Sequence, residues 1–72
     1  MNRGEHLEWA KKRAIEYADR GLCIEAITSI CSDLAQHKEL ENHPGISMAI
    51  GLLMIGSLRS PSEATQFING FH

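Results

Sequence analysis

An all-α fold, a compact four-helix domain with helices at about 4–20, 22–37, 44–58 and 61–70, is what three features of this sequence predict. Apolar residues recur at three- and four-residue spacing through the first half of the chain, the period of an amphipathic helix. Helix-start chemistry recurs at His43-Pro44 and at Ser60-Pro61-Ser62-Glu63. Between those starts, Ile46–Leu58 (ISMAIGLLMIGSL) carries no charge and projects apolar side chains all round a helix. A helix apolar on every side is a buried helix, so 46–58 is expected at the centre of the core.

The first helix gathers Leu7, Ala10, Ala14, Tyr17 and Ala18 on one face, with Ile15 widening the stripe. Trp9, the single tryptophan, falls about 200° from Leu7 on the helical wheel, among Lys12, Arg13, Glu16 and Arg20. Two readings of it stand. A neighbouring subunit or the C-terminal tail folds over the ring, or Trp9 is a recognition anchor, because Trp and Arg dominate binding hot spots. Lys11, Lys12 and Arg13 are contiguous in sequence, yet fan over about 200° of helix and read as solvated surface. Glu8–Lys12 and Glu16–Arg20 have the i,i+4 spacing that supports a helix.

Gly21 stops this helix and a second begins at once. Cys23, Ala26, Ile27, Ile30 and Leu34 define its main face, Ile24 and Cys31 broaden it, and residues 38–42 read as a polar connector. With Ala14 and Tyr17 on one helix, Ala26 and Ile30 on the next and Gly21 at the turn, residues 10–37 resemble a tetratricopeptide-type helical hairpin. The resemblance implies close packing of two helices across small residues, and protein binding.

Pro44 suits the first turn of the third helix, with Asn42 or His43 as its cap. Gly51 and Gly56 interrupt the apolar run at a cost of up to about 1 kcal/mol each relative to Ala, and Gly51 reads as a point of close helix approach. In the last helix Ser60 is the cap, Pro61 the first helical residue and Glu63 completes a capping box. Ala64, Phe67, Ile68 and Phe71 supply its apolar face.

A chain of 72 residues buries only about 60% of its unfolded surface, and scaffolds this small turn to disulfides, metals or oligomerisation. Cys23 and Cys31 lie eight apart on one helix, roughly 12 Å, beyond disulfide reach. The histidines at 6, 37, 43 and 72 show no metal-ligand spacing, so no metal and no cofactor is expected. Self-association remains, a homo-oligomer with a dimer favoured, with Ile50, Gly51, Leu53 and Met54 at the interface. The thirteen residues of the apolar run fall short of a bilayer span, which needs roughly 17–25. No signal peptide is read at the polar N-terminus. A formal net charge of −2 argues against nucleic acid. No Gly-rich phosphate loop and no nucleophile–base pair is found; Cys31 and His37, six apart on a helix, point in different directions, so no enzyme is expected.

From GEHLEWAKKRAIEYADRG through HPGI to the closing FINGFH, the whole chain resembles short uncharacterised accessory proteins encoded in bacteriophage genomes. The resemblance implies a protein made in the cytoplasm of a bacterial host cell, where tiny acidic phage proteins bind and block host proteins. Inhibitors of CRISPR effectors or of host RNA polymerase, and sponges for cyclic-nucleotide signals, are examples of such strategies. The leading expectation is therefore a non-catalytic phage-type accessory protein that, as a small oligomer, blocks a host protein of the defence or transcription machinery. Its partner-binding residues are Trp9, Lys12, Arg13, Glu16 and Arg20. One alternative is a small-ligand sponge holding anionic signals at subunit junctions through Lys11, Lys12, Arg13 or Arg20. The other is a nucleic-acid-binding regulator.

Overall fold

Side-chain caps set where the first, third and fourth helices begin in the computed structural model, which describes residues 2–72. Helix α1 (Arg3–Asp19) starts on a capping box that the sequence reading passed over: the Asn2 side chain accepts from the Glu5 N–H at 2.8 Å, and Glu5 Oε1 accepts from the Asn2 N–H at 3.3 Å. Helix α2 (Cys23–Ala35) follows a two-bond turn in which the Gly21 N–H reaches Ala18 O and the Leu22 N–H reaches Tyr17 O, with Gly21 at φ +80°. That pairing is a Schellman close, for which glycine is the least strained residue. Helix α4 (Pro61–Asn69) opens on Ser60, whose Oγ accepts from the Glu63 N–H and donates to the Glu63 carboxylate, both at 3.1 Å.

Helix α3 (Pro44–Met54) is shorter than expected. His43 is its cap: Nδ1 accepts from the Gly45 N–H at 2.9 Å, which leaves the hydrogen on Nε2 to donate to His72 O at 2.8 Å. Gly56, read as an interior glycine, instead ends the helix. It sits at φ +81° in a second Schellman close, with the Gly56 N–H to Leu53 O and the Ser57 N–H to Leu52 O. Residues 55–58 therefore leave the helix, and Leu58 turns inward at φ +61° to be buried.

The core is built on alanine. Ala10, Ala14 and Ala18 form one i,i+4 row on α1, fully buried against α2 and α4, with Ala26 and Ala64 on the facing helices. Small side chains let helix axes approach, and Ile27, Ile30, Leu34 and Ile68 fill what remains. Leu40, in the stretch read as a polar connector, is also fully buried, because the turns at 36–43 fold it back beneath the hairpin.

The expectation of a central third helix does not hold for the single chain. Among the helices α3 packs only on α2, and it buries Ala49 alone. Its N-terminal turn rests on Phe71, which approaches so closely that a Cβ on Gly45 would overlap the ring. The accessible surface is 4471 Å², against about 4450 Å² for an ordinary folded monomer of 8.0 kDa. The chain as a whole thus exposes about as much surface as an ordinary monomer of its size.

Gly51 within α3 and Gly56 just beyond its end should respond oppositely to substitution. Gly56→Ala forces a left-handed alanine and should lower stability by about 1–2 kcal/mol. Gly51, whose added Cβ would meet nothing within 4 Å, should accept Ala in dilute solution with stability unchanged or raised by up to about 1 kcal/mol. Denaturant unfolding of both variants checks this.

Candidate functional site

Trp9 lies on α1 where the helix passes the C-terminal turn of α2, and it is half-buried rather than bare. Within the single chain its ring is flanked by Arg13 and His6. The Arg13 guanidinium carbon stands 4.8 Å from the indole centroid, one turn along the helix. The His6 ring lies 5.2 Å from it, tilted by 49°, and His6 in turn is 5.0 Å from the His37 ring. Arg13, Trp9, His6 and His37 thus form a continuous row from the flank of α1 to the end of α2.

Asp33 holds this row from behind. It is the one charged residue buried among the described residues, at 5% exposure. Its backbone carbonyl, which takes a long 3.3 Å bond from the Gln36 N–H, also accepts from His6 Nε2. Its Oδ2 lies 3.0 Å from Arg13 Nε. That contact is an ion pair with poor hydrogen-bond alignment, since Oδ2 accepts no well-directed N–H. A carboxylate withdrawn from water this far needs its counter-charge, so Arg13 is held in place by Asp33 and over Trp9 at once.

In front of the indole runs an open groove of about 530 Å³, lined by Glu8, Trp9, Lys11, Lys12, Ile15, Glu16 and Asn69. Trp9 and Ile15 give it an apolar floor, while Lys12 and Glu16 stand exposed at its edge. A half-buried aromatic ring beside an aliphatic side chain, ringed by charge, is the composition that protein-binding surfaces share.

The basic run Lys11–Arg13 is less free than expected. Lys11 is half-buried, donates to Phe71 O at 3.2 Å and lies 3.8 Å from Glu8, so the i,i+3 ion pair replaces the i,i+4 pair with Lys12. Arg20 caps α1 eleven residues beyond Trp9, about 16 Å along the axis, too far to frame the indole. It faces a separate small groove with Arg13, Glu16 and Tyr17. The five residues expected to bind a partner are therefore split: Trp9, Lys12 and Glu16 share the main groove, Arg13 supports it from the side, and Arg20 lies apart. Sequence reasoning missed His6 and Asp33, whose only sequence signal was a polar residue on the apolar side of α2.

Of the residues expected at a subunit interface, Ile50, Gly51 and Met54 lie exposed on the outer face of α3, and Leu53 is half-buried at its edge. Both cysteines are free thiols on α2, and burial pushes the Cys31 thiol up, away from the thiolate a nucleophile needs. Among the described residues no three His, Cys, Asp or Glu side chains are grouped to hold a metal, and no helix is long and apolar enough to cross a membrane. Comparison with protein-family models, curated proteins and solved structures gave no match.

Arg13→Ala should strand the Asp33 carboxylate and cost about 1–2 kcal/mol, less than for a fully buried pair because Arg13 is half-exposed. A double-mutant cycle with Asp33→Asn, read by urea unfolding, should return a coupling of similar size. Cys31 should alkylate more slowly than an unstructured peptide thiol near neutral pH, and as fast once the chain is unfolded in urea; a mass-resolved iodoacetamide time course measures both.

Proposed function

We propose that this chain is a non-catalytic accessory protein that acts by stoichiometric binding, as a small oligomer, and blocks a partner protein. The single observation that carries the reading is the Trp9 groove: a large ring fixed in place by Arg13 and His6, with an apolar floor and charged edge open to a partner. An anchor held this way loses little freedom on binding, which is the condition for a hot spot. The finer reading, that the partner is a bacterial host protein of the defence or transcription machinery, rests on the resemblance of the whole chain to phage accessory proteins.

The sponge reading has less support. Its four cations do not converge: Lys11 and Lys12 line one groove, Arg13 and Arg20 another, and Glu16 lines both. A small anion would meet a carboxylate in either place, and Arg13 is already paired with Asp33. For nucleic acid the surface lacks the clustered cations that phosphate contacts require.

The test is capture of a defined partner from host lysate, followed by titration with the purified partner. Trp9→Ala should weaken that binding by about 2–4 kcal/mol, and Lys12→Ala by well under 1 kcal/mol. In the free protein the Trp9 emission should be partly quenched by iodide and become protected when the partner is added. Protection by a cyclic nucleotide instead, with no protein captured, would move the assignment to the sponge.

A further inference from the structure

The outer face of α3 is a surface that no element of the chain covers. Met48 is 59% exposed, Ile50 52%, Met54 82% and Ile55 76%. Ser47 and Gly51, one turn apart, lie between these side chains, and around the Gly51 position there is open space. Contiguous exposed apolar surface of this kind marks an interaction site.

We infer that the occupant is a second copy of this chain, with two α3 helices crossing antiparallel about a twofold axis at Gly51. This deepens, and rests on, the self-association in the function proposed above. Two features select that occupant. From Pro44 to Leu58 there is no charged residue, so the face meets itself without like-charge repulsion and offers a charged partner nothing to pair with. In a twofold interface the same patch must serve both sides, and an uncharged patch is complementary to itself. Next, among the described residues α3 is the only helix without an acidic side chain in its first turn, and like the other three it has no basic one in its last. Beyond the neutral His43 cap no charged side chain offsets its end charges, and an antiparallel neighbour brings the opposite partial charge to each end.

Gly51 then has a use that the single chain does not supply. Without a Cβ the two backbones approach, and Ile50 and Met54 of each copy fold over the other. Antiparallel crossing places position 47 of one copy near position 55 of its partner, and not near its own equivalent.

Sedimentation equilibrium and cross-linking test this. At roughly 50 µM the wild type should be a dimer. Ile50→Asp, at a position exposed in the single chain, should keep the helical circular dichroism and weaken the dimer at least about 100-fold. Gly51→Leu should weaken it about 10-fold or more by holding the helices apart. In a Cys31→Ser background, a mixture of Ser47→Cys and Ile55→Cys chains should cross-link through a short bismaleimide faster than either chain alone. A dimer indifferent to Gly51→Leu, or one in which Ser47→Cys links chiefly to itself, overturns the antiparallel crossing while leaving self-association intact. A trimer or higher assembly overturns the twofold axis. A monomeric wild type overturns self-association itself. In that case flotation with phosphatidylcholine vesicles, or loss of partner capture on Ile50→Asp, would assign the face to a lipid surface or to a different protein.

Discussion

Close approach of α1 to its neighbours, made possible by the alanine row at 10, 14 and 18, is the constraint on which the rest of this structure depends. Alanine adds little buried area of its own, but it lets the larger side chains of α2 and α4 reach across and meet. Ile27, Ile30, Leu34 and Ile68 are fully buried in that space, and Leu40, Leu58 and Phe71 enter from outside the helices to close its ends. Those side chains occupy the centre of the core. The most apolar helix of the chain is accordingly left at its edge, with Ala49 the only residue it buries.

The same close packing gives Asp33 its position. Where α1 runs against the end of α2, an acidic residue is carried under the hairpin, and burial makes its pairing with Arg13 obligatory. The Asp33 backbone holds His6 while its side chain holds Arg13, and the indole of Trp9 sits between those two groups. The groove in front of Trp9 is therefore an outcome of the packing behind it. Stability and proposed binding share one set of contacts, so changes at Arg13 or Asp33 act on both.

The molecule thus presents two unlike surfaces. The α1 groove is small, mixed in charge and centred on one aromatic ring, which suits recognition of a specific partner. The α3 face is uncharged and aliphatic, which suits permanent cover. Their separation on different helices allows one copy to associate through α3 while its Trp9 groove stays open. The chain's last residues tie these regions together, since Phe71 and His72 take bonds from Lys11 and Arg3 on α1 and from His43 at the start of α3.

What the sequence determined by itself was local. Periodicity placed four helices close to where they lie, and named Leu7, Ala10, Ala14 and Ala18 on α1 and Cys23, Ala26, Ile27, Ile30 and Leu34 on α2 as core positions, because a face repeating every 3.6 residues has only one way to be buried; Ile24, read at the edge of that face, is exposed. The Ser60 cap was legible for the same reason, being a matter of neighbours in sequence. Composition said that 46–58 needs burial, but not where. Whether Gly56 continues or ends a helix depends on a φ angle, and whether an apolar helix lies at the centre or the edge depends on how much space the other three leave. Asp33 and His6 were invisible as a site for a related reason. They lie 27 residues apart, and only the approach of α1 to the end of α2 joins them, so their meaning is a property of the packed hairpin and not of either segment alone.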